Sequence, residues 1–177
     1  TTTGQLAEVL EMAAEICNTQ GGLKFEPGVG RAERDRIFKA RHGLGEMILR
    51  NHPDCDILIM DVAVPITAYS ELIDTMKAEM AETNLVCYYL SHAGNGNVHL
   101  NIAGKKGDTQ EWNLIDQIVQ RLVQKTIDLG GTATGEHGIG LGKRKFMKAE
   151  HGTSLEWMKK VKTIFDPNGI LNPGKIF

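Results

Sequence analysis

The chain has 177 residues, 41% of them hydrophobic, with 20 basic against 22 acidic side chains and a formal net charge of −2. That length and apolar content supply one folded core, or a core with a small appendage, and argue against disorder. So even a charge balance excludes the broad basic field that would bind nucleic acid or anionic lipid.

From the N-terminus, Leu6, Val9, Leu10, Ala13, Ile16 and Cys17 recur at helical spacing, and Gly21-Gly22 ends the helix they predict. Residues 31–50 are rich in Arg, Glu, Lys and Ala and carry Ile37, Leu44, Met47 and Ile48 as apolar anchors. They predict a second helix ending near Asn51-His52-Pro53. The apolar run 57–64 reads as a buried strand that Pro65 closes. Leu72, Ile73, Met76 and Met80 mark a helix for which Thr67 is the expected cap, followed by an apolar strand over 85–90. The turn Ala93-Gly94-Asn95-Gly96 leads into strict alternation, with Val98, Leu100 and Ile102 on one face and Asn97, His99 and Asn101 on the other, so the two strands read as a hairpin.

Asp108 and Glu111 suggest a capping box for a helix with the face Trp112, Ile115, Val119, Leu122 and Ile127, which Gly130-Gly131 ends. Then come a glycine-rich stretch over 132–142, a basic helix start at Lys143-Arg144-Lys145, a capped helix over 153–165 and a turn-laden tail to Phe177. Helix, helix, strand, helix, strand, strand, helix is an α+β order, a sheet with helices packed on one face.

Cys17, Cys55 and Cys87 are odd in number, widely spaced and never in a C-x-x-C arrangement. They argue against a disulfide framework or a thiolate zinc knuckle, and suit the reduced thiols of a cytoplasmic location. No apolar run approaches the roughly 18 residues of a membrane span. The start, Thr1-Thr2-Thr3-Gly4, lacks a leader's charged and apolar regions, and the absent initiator methionine suggests a fragment or processed chain.

Four side chains stand in glycine-rich surroundings: His92 and His99 in Ser-His-Ala-Gly-Asn-Gly-Asn-Val-His, and Glu136-His137 in Thr-Gly-Glu-His-Gly-Ile-Gly. Glycine lets a backbone turn sharply or approach a ligand closely. On a hairpin His92 leaves one strand as His99 enters the next, so their rings can converge. Two imidazoles and a carboxylate make a three-ligand site with room for substrate or water, suited to zinc or another divalent first-row metal such as manganese. The alternative is a solvated strand face bearing Asn97, His99 and Asn101. The run Gly138-Ile139-Gly140-Leu141-Gly142-Lys143 fits neither common phosphate-binding pattern. Lys143, Arg144, Lys145 and Lys148 read as a solvated face.

Three separated motifs, Ser-His-Ala-Gly-Asn-Gly-Asn-Val-His-Leu-Asn, Gly-Thr-Ala-Thr-Gly-Glu-His-Gly-Ile-Gly and Phe-Asp-Pro-Asn-Gly-Ile-Leu-Asn-Pro-Gly-Lys, resemble in that order the C-terminal half of FAD-linked 2-hydroxy-acid oxidoreductases. These are enzymes of the D-lactate dehydrogenase, glycolate oxidase and D-2-hydroxyglutarate dehydrogenase type, in the vanillyl-alcohol oxidase superfamily. The resemblance runs from about Arg41 to the C-terminus. It implies His92, His99 and Glu136 as metal ligands, His137 as the catalytic base beside the flavin, Arg41 and Asn101 as substrate-binding groups, and Asn172 as a flavin contact. It further implies a ferredoxin-like cap over residues 1–135, a helical segment 136–177 returning to the flavin domain, and an N-terminal flavin domain absent from this chain.

The expected reaction is hydride transfer from C2 of a 2-hydroxy acid to FAD, with a divalent metal on the substrate and His137 taking the hydroxyl proton. Where the hydroxyglutarate enzymes have a threonine and a lysine, this chain has Gly45 and Met60, which points to a short monocarboxylic substrate. By itself the chain is expected to bind no FAD and turn over nothing. The electron acceptor stays open and a homo-oligomer is compatible. A metal-dependent hydrolase and a non-catalytic α+β binding module are the competing readings.

Overall fold

The computed structural model describes residues 3–177. Thr1 and Thr2, the first residues of the start that shows no leader pattern, lie outside the described residues. Two compact units divide at Asn51 and His52. The first holds two helices, α1 (Thr3–Thr19) and α2 (Gly30–Asn51). The glycine pair ends α1 as expected: Gly22 N–H donates to the Cys17 carbonyl at 2.7 Å, and Gly21 takes a φ of 79°.

In the second unit β1 (Cys55–Ala63), β2 (Val86–His92) and β3 (Asn97–Lys105) form an antiparallel sheet in the order β1-β3-β2. Helix α3 (Tyr69–Ala81) connects β1 to β2, and α4 (Thr109–Asp128) follows β3. Alternation along β3 dictates the layering, because Val98, Leu100 and Ile102 all face one side. There they join Met60 and Val62 of β1, Leu72, Met76 and Met80 of α3, and Ile115, Ile118, Leu122 and Val123 of α4 in one buried cluster. Both helices therefore cover the same sheet face, and the expected α+β class is found. The described residues form three strands, one fewer than a ferredoxin-like sheet, plus a single bridge between Ala63 and Thr132. Two further helices, α5 (Met147–His151) and α6 (Ser154–Phe165), make up the C-terminal helical tail.

Several local expectations hold only in part. Thr67 lies inside a 3-10 turn over Ile66–Ala68, and α3 starts from Ala68 without a side-chain cap, because Ala68 N–H bonds back to the Pro65 carbonyl. Asp108 does cap α4, accepting from the Gln110 and Glu111 amides, but Glu111 accepts from Lys105 N–H at 2.7 Å instead of closing the box. Thr153 precedes α6 without a side-chain cap bond.

The hairpin turn between β2 and β3 forms as expected, with Gly96 at φ 69°. A Cβ there would overlap the Val64 carbonyl, while Val64 N–H donates to the Gly96 carbonyl at 3.0 Å. The turn is thus fastened to the chain leaving β1, which aligns the ends of all three strands.

Candidate active site

The sheet face opposite the helices presents Asp61 on β1 beside Asn97, His99 and Asn101 on β3, with Asp61 directly across from His99 in the register. This is not a solvated face: Asn97, His99 and Asn101 are 6%, 8% and 7% exposed, and Asp61 is fully buried. After α4 the chain bonds through Thr132 to Ala63 in both directions, at 2.8 and 3.3 Å, and crosses this face as residues 133–138. Ala133 N–H donates to Glu150 Oε2 at 2.8 Å, and the Thr134 hydroxyl donates to the Gly138 carbonyl at 3.0 Å, which closes the loop around Glu136 and His137.

The loop runs so close to the sheet that only glycine fits at 135. A Cβ on Gly135 would stand 2.5 Å from Asp61 Oδ1 and nearer still to Asn97 Nδ2. As a result His92, His99 and Glu136 each bring a ligand atom within 4.8 Å of the others. Glu136 Oε1 lies 3.0 Å from His99 Nε2 and 3.4 Å from His92 Nε2. Ligand atoms around a tetrahedral zinc, each about 2.0–2.1 Å from it, stand roughly 3.4 Å apart, so the donor set and its spacing suit a divalent metal. His137 stacks on His99 with ring centroids 5.0 Å apart, its Nε2 3.8 Å from Glu136 Oε1. Burial holds the His99 pKa below its ordinary value against the pull of Asp61 and Glu136, which favours the neutral imidazole a metal needs.

Asp61 is the residue the sequence reading passed over. Its carboxylate accepts the Glu136 and His137 backbone N–H groups and the Asn97 side-chain amide, each at 2.8 Å. Lys143 Nζ lies 3.5 Å from Oδ2 and donates to the Asp61 carbonyl at 2.7 Å. Burial by itself raises the carboxyl pKa. The His137 and Glu136 amides, Asn97 and Lys143 together outweigh it and carry the value down to about 2. The signal available in the sequence was one acidic residue inside an otherwise apolar strand. Lys143 departs from the solvated-face reading for the same reason, whereas Lys145 pairs with the exposed Asp116 at 2.5 Å and Arg144 donates to the Gly174 carbonyl at 2.7 Å.

Of the remaining expected site residues, Asn101 shares the sheet face and donates to the His99 carbonyl at 3.3 Å. Arg41 and Gly45 belong to α2 in the first unit and are described with it. Asn172, at φ 46°, lines a surface cavity of about 530 Å³ with Phe165, Leu171 and Phe177 in the tail. Met60 lies in the apolar cluster under α3 and α4, so its side chain does not reach this face; the half-exposed Ile59, paired with Asn101, does.

A family model described as FAD linked oxidases, C-terminal domain, matches residues 1–176. A probable mitochondrial D-lactate dehydrogenase of Danio rerio is 34% identical over 172 residues, covering 97% of this chain and 35% of the relative. The glycolate oxidase subunit GlcD of Bacillus subtilis is 27% identical over 169 residues, 95% of this chain and 36% of the relative. A D-2-hydroxyglutarate dehydrogenase of Stutzerimonas stutzeri is 32% identical over 182 residues, 99% of this chain and 38% of the relative. The chain spans about a third of the length of these curated relatives.

Proposed function

Because the chain belongs to the family of FAD-linked oxidase C-terminal domains, we propose that it is the substrate-capping part of a flavin-dependent oxidoreductase that converts a short 2-hydroxy acid, of the D-lactate or glycolate kind, to the 2-oxo acid. The observation that carries this reading is the convergence of His92, His99 and Glu136 with His137 stacked alongside. His92, His99 and Glu136 would hold a divalent metal, zinc or manganese, which would supply polarisation of the substrate hydroxyl, and FAD, held mainly by an N-terminal domain, would supply the hydride acceptor.

The chain's own groups do the rest. Glu136 and the two imidazoles would fix the metal, and His137 Nε2 takes the hydroxyl proton. Asn101 orients the substrate from the sheet face, and the family resemblance assigns Arg41 on α2 to carboxylate binding, to which a guanidinium is suited through charge-assisted hydrogen bonds. The half-exposed apolar Ile59 opposite Asn101 favours a short monocarboxylic acid over a dicarboxylic one. Residues 1–135 act as the cap, and residues 136–177 return to the flavin domain with Asn172 on the isoalloxazine side. Cys17, Cys55 and Cys87, unpaired among the described residues, fit a reducing compartment such as the cytoplasm. No helix among the described residues is long and apolar enough to cross a membrane.

The test is anaerobic mixing of the full-length flavoprotein with D-lactate or glycolate, read as loss of oxidised-flavin absorbance. Replacing His137 by Asn should slow that loss by about 10²- to 10⁴-fold and leave metal content unchanged. Flavin that no short 2-hydroxy acid bleaches, or a H137N rate within tenfold of the parent, would sink the proposal.

A further inference from the structure

We infer that Asp61 is the positioning residue of the metal cluster: one buried carboxylate sets the tautomer of His99 and, through two backbone amides, fixes Glu136 and His137 over the hairpin. The inference rests on the metal reading above, and concerns how the site is assembled rather than what it binds.

Three observations converge on this residue. First, the strand register places Asp61 opposite His99, with Oδ1 3.4 Å from His99 Nδ1, while His99 Nε2 points to Glu136 at 3.0 Å. An imidazole can present a lone pair at Nε2 only if its proton sits on Nδ1, and a carboxylate facing Nδ1 favours that arrangement. Second, the other carboxylate oxygen, Oδ2, accepts both the Glu136 and His137 N–H groups. The loop that delivers the third ligand is therefore fastened to the same side chain that orients the second. Third, Asp61 is itself over-determined. The Asn97 amide, braced by its bond to the Val62 carbonyl at 3.0 Å, donates to Oδ1, and the loop backbone at Gly135 runs so close to Oδ1 that a Cβ there would overlap it.

The remaining hydrogen-bonding capacity points the same way. Among the described residues, the buried side-chain polar atoms without a hydrogen-bond partner are His99 Nδ1 and Asn97 Oδ1, and both lie against this carboxylate's surroundings. Asn97 cannot turn its amide over to satisfy Oδ1, because that would set an oxygen against Asp61 Oδ1. His99 Nδ1 lies 3.4 Å from Asp61 Oδ1 without a bond, and a small turn of the ring together with a shorter approach would complete one. A buried donor left unpaired is costly, so the metal-loaded cluster should close that gap.

The test uses the full chain and zinc or manganese ions, with affinity measured by competition against a chelating dye. Asp61→Asn keeps the shape, and with its one oxygen retained by the two backbone N–H groups it turns an amide nitrogen toward His99 Nδ1 and the Asn97 amide. It should lower affinity about 10- to 100-fold. Thr126→Val, which removes a buried hydroxyl bonded to the Leu122 carbonyl within α4, serves as the stability control and should leave affinity within twofold. Nitrogen-15 chemical shifts of His99 give the readout that a purely structural role would not move: the proton on Nδ1 in the parent, shifted toward Nε2 in D61N. If D61N does not fold, the parent's tautomer decides alone. A parent His99 protonated on Nε2, or a folded D61N binding as tightly as the parent, overturns the inference while the metal reading stands; a parent that binds neither ion overturns both.

Discussion

Substituting Ala for Gly135 tests whether the close approach of the loop assembles the site. The added Cβ would stand 2.5 Å from Asp61 Oδ1 and 3.1 Å from Asn97 Cγ, against an ordinary contact of 3.4–4 Å. The loop must then lift by roughly 1 Å, or Asn97 must leave Asp61, because both side-chain ends in the way are buried and hydrogen-bonded. Overpacking of this kind costs about 1–3 kcal/mol, and a lost hydrogen bond to a buried carboxylate adds about 1.5–3 kcal/mol, so a net loss near 3 kcal/mol is expected. In a chain of this size that lowers the thermal midpoint by roughly 5–12 °C. Glu136 is the next residue and moves with the loop. Metal–ligand distances tolerate only about 0.2 Å, so zinc affinity should fall at least about tenfold. Calorimetric unfolding and a zinc competition titration on the same G135A sample measure both effects. A midpoint within about 2 °C of the parent together with unchanged affinity would refute the reasoning.

Leu122→Ala removes a fully buried side chain between α4 and the sheet and should cost about 2–5 kcal/mol in denaturant unfolding, with metal affinity retained. Asp108→Ala deprives the Gln110 and Glu111 amides of their acceptor and should cost about 1 kcal/mol in the same assay. Asp61 also fixes a pH dependence. Its folded pKa lies at about 2, below the ordinary value of 3.8, so the folded state binds fewer protons. The stability this supplies, roughly 2 kcal/mol, is complete above about pH 5 and drains away as pH falls toward 2. Urea unfolding of the parent and D61N should therefore show a gap that narrows over that interval; a gap of constant width would argue that Asp61 acts without its charge.

The periodic parts of this protein were legible because burial is written in their spacing. Val98, Leu100 and Ile102 announced the core face of β3, and Ile115 and Leu122 announced that of α4. The turn at residues 93–96 announced the hairpin, and with it the convergence of His92 and His99. Local chemistry is less legible: Thr67 falls inside a 3-10 turn, the helix over 154–165 starts without a side-chain cap, and Glu111 accepts from Lys105 N–H while Asp108 alone caps α4. Asp61 was the largest omission. Its partners Asn97, Glu136, His137 and Lys143 lie 36, 75, 76 and 82 residues away, a relation that only the sheet register and the returning loop create. Met60 shows the converse. Adjacent to Asp61 in sequence, it faces the opposite side of the sheet, so neighbouring letters in a strand belong to different chemistry.

The loop bearing Glu136 and His137 is tethered to Asp61 by main-chain amides, which every residue except proline possesses. What occupies positions 136 and 137 is thereby decoupled from where those positions sit. A histidine or aspartate at position 136 would keep the same backbone N–H on Asp61, so the chemistry of the side chain can change while the path of the loop is retained. Selection acting on such a segment can retune reactivity in single steps without passing through misfolded intermediates.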